Sequence, residues 1–156
     1  MAYDPADILR LANYLLCTPV PSVRDETRWR AAIGRSYYAC WLTARDRLWG
    51  IGGRPTGAQK RQLPRVSGRE PGSHEQVIEA LGCNPSLSSP AKRKRQKDAL
   101  GTLKAMRHAA DYKNGDAAVP TLFAQFRIST WEKLAEQALV LSGELLPELA
   151  THPKFP

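Results

Sequence analysis

Trp29, Ala32, Ile33, Tyr37, Cys40, Trp41, Ala44 and Leu48 recur at steps of three and four residues. Such steps return to one side of an α-helix, whereas a half-buried strand alternates by two. The stretch is therefore one long helix with a continuous apolar face. That face is stable only when other elements cover it, so the chain must supply partners.

The other apolar positions keep the same period. Ile8, Leu9, Leu11, Ala12, Leu15 and Leu16 line a first helix, opened by Asp4 as N-cap with Pro5 at the first helical position. Thr18-Pro19-Val20-Pro21 stops it. The long helix begins near Ser22 or Asp25, with Asp25 and Glu26 at its positive dipole end, and stops at Gly50-Ile51-Gly52-Gly53. Residues 50–72 are rich in Gly, Pro and basic side chains without a hydrophobic period, and read as a long mobile loop. Ser73-His74-Glu75-Gln76 reads as a capping box, with Ser73 as N-cap and Gln76 at the third helical position, for a short helix to about Leu81. A fourth helix starts at Ser89-Pro90, buries Leu100, Leu103, Met106 and Ala110, and ends at Lys113-Asn114-Gly115-Asp116. A last helix runs from near Pro120 to about Leu149, with Leu122, Phe126, Leu134, Ala138, Leu141, Leu145 and Leu149 as its stripe. The expectation is an all-α, single-domain antiparallel helical bundle of about five helices over residues 1–150, with a flexible tail at 151–156.

Three cysteines, Cys17, Cys40 and Cys83, are odd in number and lack zinc-ligand spacing, so neither a disulfide framework nor a metal site is expected. Cys17 and Cys40 lie in apolar helical surroundings and read as small core residues. No stretch approaches the ~20 apolar residues of a membrane-spanning helix. The start, Met1-Ala2-Tyr3-Asp4, lacks a signal peptide's pattern, and the expected location is the cytoplasm. The glycines at 50–53 lack the strand and helix around a phosphate loop, and no cofactor is expected.

Net charge is +8, with a pI near 9.7. That bias favours anionic partners, nucleic acid first among them. The charge is concentrated in two places. Arg54, Lys60, Arg61, Arg65 and Arg69 fall in the Gly/Pro-rich loop, and Lys92, Arg93, Lys94, Arg95 and Lys97 open the fourth helix, against its dipole. Together they read as an RNA-guiding surface, or else as a solvated face that aids solubility.

Arg107-His108-Ala109-Ala110-Asp111-Tyr112 places a guanidinium, an imidazole, a carboxylate and a phenol near a helix end. Arginine is a fixed anion clamp and histidine exchanges protons near neutral pH. Arg107 and Asp111 are also spaced for an intrahelical ion pair, with Tyr112 packing its ring. Arg35-Ser36-Tyr37-Tyr38 lies in the long helix, Tyr37 on its apolar face and Arg35 and Tyr38 beside it, so the two clusters are candidates to share a pocket. His74 reads as exposed or partly packed, and His152, in the Pro-rich tail, as disordered.

In this order the segments resemble the HEPN superfamily of small helical bundles. Ile33-Gly34-Arg35-Ser36-Tyr37-Tyr38-Ala39 is similar to its "SRAYYA"-like second helix, Ser73-His74 to its middle segment, and the stretch from Arg107 to Tyr112 to its "R…ADY" ending. The resemblance spans about residues 5–149. It implies RNA binding, often metal-independent endoribonuclease activity, in prokaryotic toxin–antitoxin or antiphage systems, from a pocket built across a homodimer. It assigns Arg107 to the family's catalytic arginine and His108 to the polar position after it. The terminal histidine of that signature falls on Tyr112, or on Lys113 or Asn114 at longer spacings, and none is histidine. Asp111 completes the catalytic set, with Arg35 and Tyr38 as pocket support. The resemblance equally implies a catalytically inactive interaction module partnered by a nucleotidyltransferase that modifies Tyr112, or a nucleotide-binding domain.

Overall fold

The computed structural model describes residues 4–112 and 119–156, and only the backbone of 119–122. The described residues form seven helices: α1 (Pro5–Cys17), α2 (Asp25–Trp49), α3 (Gly57–Gln62), α4 (Ser73–Cys83), α5 (Pro90–Tyr112), α6 (Val119–Phe126) and α7 (Trp131–Ala150). Among them there is no strand, only an isolated bridge between Val66 and Arg69. No described helix is long and apolar enough to cross a membrane.

The long periodic helix is the centre of the molecule. α2 packs against α1, α4, α5 and α7. Ile33, Tyr37, Cys40, Ala44 and Leu48 of α2 meet Leu100, Leu103, Met106 and Ala110 of α5, Leu134, Ala138, Leu145 and Leu149 of α7, and Val77 and Leu81 of α4 in one buried cluster. The apolar stripes of the sequence are thus the core.

Helix ends explain most departures from the expected elements. Asp4 caps α1 as expected, its carboxylate accepting from Ala6 N at 2.9 Å. The last carbonyls of α1 find an unexpected partner in Arg28, a nearly buried arginine of α2. Its Nη1 donates to Leu15 O and Thr18 O, both at 2.7 Å, while Asp25 receives the rest of the guanidinium. The N-cap of α4 is Gly72 rather than Ser73, because the Glu75 carboxylate reaches back to Gly72 N at 2.9 Å. The expected mobile loop, 50–72, contains α3. Thr56 and Gln59 close that helix with reciprocal hydrogen bonds of 3.2 and 2.9 Å, and Pro55, Leu63 and Pro71 are buried.

The single last helix expected from Pro120 to Leu149 is two helices. The chain turns at Arg127, whose φ of 54° is left-handed. Arg127 N donates to Ala124 O at 3.1 Å and Ile128 N to Phe123 O at 2.9 Å, the two bonds of a Schellman ending. Thr130 then caps α7 through Lys133 N at 3.2 Å. The sequence carried no warning, because arginine rather than glycine occupies the left-handed position.

The tail is also not a flexible appendage. His152 and Phe155 are buried. His152 Nδ1 lies 2.7 Å from Gln96 Oε1, and its Nε2 lies 2.9 Å from Asn84 Nδ2. Asn84 also donates to Pro153 O at 2.9 Å, and Phe155 N donates to Leu48 O at 3.1 Å. Cys17, expected in the core, is exposed, whereas Cys40 is buried. The expected end of the fourth helix at residues 113–116, and the Leu122 side chain, lie outside the described residues.

Candidate functional site

The two polar clusters of the sequence do meet, through α2 and α5. Spacing by three and four aligns Lys104, Arg107 and Asp111 on one side of α5. Arg107 Nε donates to Asp111 Oδ2 at 2.7 Å, so the intrahelical ion pair is present. The guanidinium lies over two rings of α2, with its carbon 5.0 Å from the centroid of Tyr38 and 5.8 Å from that of Tyr37. Both terminal nitrogens of Arg107 are left without a hydrogen-bond partner among the described residues.

α4 delivers a third element. The hydroxyl of Tyr37 and Nδ1 of His74 are 2.5 Å apart. His74 stacks on Trp41 with ring centroids 4.6 Å apart and packs edge-on to Tyr38 at 6.1 Å. Burial pushes the Tyr37 hydroxyl far above its ordinary acidity range, only partly opposed by Arg107. Tyr37 therefore keeps its proton and donates it to Nδ1, which leaves Nε2 as the protonated nitrogen of the neutral imidazole. Burial, then Arg107, then Lys104 hold the His74 pKa below its usual value, so the ring is neutral at pH 7. Glu75, next to it, receives Arg69 at 3.0 Å and Lys104 at 3.3 Å.

His108 and Tyr112 stand beside this cluster on the outer side of α5. Their rings lie 4.9 Å apart, and Tyr112 is 66% exposed. Arg35 is exposed and turns elsewhere. It lines a cleft of about 1160 Å³ between α1, α2 and α7 together with Tyr38, Ile8, Leu42 and Leu146. Tyr38 is the shared wall, facing Arg107 and also lining the cleft.

The two basic segments differ in kind. Lys94 pairs with Asp98, Arg95 with Glu148 at 2.8 Å and Lys97 with Glu79 at 2.6 Å. Arg93 donates to the carbonyls of Leu87 and Asn84, at 2.5 and 3.4 Å. Much of this block is committed to holding α5 against α4 and α7, and of the five only Lys92 and Arg93 lack an ion pair among the described residues, Arg93 being held by carbonyls instead. Lys60 and Arg61 end α3 and Arg65 follows it, all three exposed and without an ion pair among the described residues.

No group of His, Cys, Asp and Glu among the described residues is arranged to hold a metal ion. Sequence reasoning singled out Arg107, Asp111 and Tyr38 but not Lys104, His74 or Trp41. Lys104 was accessible from its spacing to Arg107. His74 was not, since only the packing of α4 on α2 and α5 brings it there. Compared with known protein families, with curated proteins and with solved structures, the chain matches none.

Proposed function

We propose that the chain is a HEPN-like RNA-binding protein of a prokaryotic toxin–antitoxin or antiphage system, acting in the cytoplasm as a homodimer. The observation that carries this reading is Arg107. Its guanidinium is braced by Asp111 and two tyrosine rings, with both terminal nitrogens unused among the described residues. A fork held in that way is preorganised for a phosphate, with little side-chain entropy left to lose. The segments that carry the HEPN resemblance pack on one another through α2 and α5, which supports the same reading. Lys60, Arg61 and Arg65, exposed and without an ion pair among the described residues, supply long-range attraction.

Cleavage without a metal needs proton transfer at the 2′-hydroxyl and at the leaving oxygen. Across a two-fold dimer, the exposed His108 of each protomer would supply one of these roles, with the Arg107 pair stabilising the phosphorane charge. The test is binding of labelled single-stranded RNA with increasing salt, followed by incubation in a chelator. Salt-dependent binding that Arg107→Ala weakens is expected. Binding that ignores both salt and Arg107 overturns the reading.

The exposure of Tyr112 favours a second reading, an inactive module modified by a nucleotidyltransferase. A mass increase on co-expression with such a partner, abolished in Tyr112→Phe, is its expected signature.

A further inference from the structure

Arg107 is not alone on its surface. Lys104 lies one turn earlier on the same side of α5, and His74 packs against the two tyrosines that hold the guanidinium. Lys104 is tied to Glu75 only by a 3.3 Å contact, and its side chain is about one-third exposed. Arg69, Lys104 and Arg107 face the carboxylates of Glu75 and Asp111, so the cluster keeps one uncompensated positive charge while His74 is neutral. Nε2 of His74 has no hydrogen-bond partner among the described residues, since Tyr37 occupies Nδ1. The donors are of the right kind and number for one phosphate group, and among the described residues Lys104 and Arg107 pair with no acidic side chain other than Glu75 and Asp111.

We propose that Arg107, Lys104 and His74 together hold one phosphate of an RNA backbone, with Nε2–H of His74 as the third donor beside the two cations. The proposal deepens the RNA reading and rests on it for the source of the phosphate. The groups facing His74 are Tyr37, Tyr38 and Trp41 from α2 and Arg107 and Lys104 from α5, with Glu75 adjacent on α4 and carrying Arg69. Without a ligand, burial, then Arg107 and Lys104, keep the ring neutral. A phosphate seated among them cancels their field and favours the imidazolium, so binding draws a proton onto His74. By linkage, affinity for the phosphate increases as pH falls through the His74 titration. Tyr37 positions the ring in both states: it donates to Nδ1 of the neutral form and accepts from Nδ1–H of the charged form.

The experiment is a pH titration of the His74 ring resonances in the full chain labelled with ¹⁵N-histidine. It is run alone, with inorganic phosphate, and with a short oligoribonucleotide lacking terminal phosphates. The oligoribonucleotide should move the His74 midpoint upward by about one pH unit. Lys104→Met should weaken RNA binding by about 3- to 10-fold. His74→Gln, which keeps a donor, should remove the pH dependence and change affinity at pH 8 by less than about 3-fold. RNA that binds without moving the His74 midpoint overturns the site and leaves the RNA reading standing. Inorganic phosphate that moves the midpoint while RNA fails to bind keeps the phosphate site and overturns its assignment to RNA. If neither ligand binds, both fall.

Discussion

Nδ1 of His152 lies 2.7 Å from Oε1 of Gln96, joining residues beyond α7 to the middle of α5. The bond fixes the tautomer. Gln96 accepts from Nδ1–H, so Nε2 is bare and accepts from Asn84 at 2.9 Å. The ring has no room for a second proton, and burial, then Lys92, then Arg47 bring its pKa down to about 4.

The clasp makes stability depend on pH with a definite sign. The unfolded chain binds a proton at His152 below about pH 6.5, whereas the folded chain resists it until about pH 4. Stability from this residue is complete above the unfolded value and is lost as pH falls from about 6.5 to 4. The full loss is about 3 kcal/mol. Urea unfolding at pH 7 and pH 4.5 measures it, and in His152→Gln the drop between those values should shrink by most of that amount.

Arg28 terminates α1 from another helix. Its replacement by Met preserves the apolar stem but strands the carbonyls of Leu15 and Thr18. The expected cost is about 2–4 kcal/mol. Hydrogen exchange should quicken first in α1, whose only fully buried residue is Ala12.

Arg127 holds a left-handed conformation at φ 54° on an exposed turn. A side chain there is strained by about 1–2 kcal/mol, part of which glycine returns as lost unfolded-state restriction. Arg127→Gly should therefore stabilise by up to about 1 kcal/mol. An unchanged or lower thermal midpoint would remove the Schellman account of the α6–α7 break.

The two basic segments should separate in RNA binding. Lys60→Gln, Arg61→Gln and Arg65→Gln remove charges that no ion pair among the described residues neutralises, and each should flatten the salt dependence by about 0.7 or less in log–log slope. Lys97→Gln breaks the 2.6 Å pair with Glu79 and should register in stability, by about 0.5–1 kcal/mol, rather than in RNA affinity. The same loss of affinity from both groups would contradict the pairing.

The stripes of α2 and α5 were legible because helical periodicity and burial are one signal written twice. Leu100, Leu103 and Met106 are buried where the pattern placed them. The Arg107–Asp111 pair was legible for the same local reason. Elements held by distant partners were not. The tail looked disordered because Pro, Lys and His predominate there, yet Asn84 and Gln96 bind it from two other elements. α3 was hidden by its polar sequence, as its six residues include no buried one. His74 looked like surface because nothing near it in sequence announces Tyr37 or Arg107.

The stacking of His74 on Trp41, at 4.6 Å, gives the molecule an optical property. A charged imidazole accepts an electron from excited indole far better than a neutral one does, so it dims the emission of the ring it touches. Protonation of His74 would thus be visible as a fall in Trp41 fluorescence, with no label attached. Occupancy of the Arg107 surface could then be followed in real time by stopped flow, and Trp41→Phe would silence the signal while keeping an aromatic ring against His74.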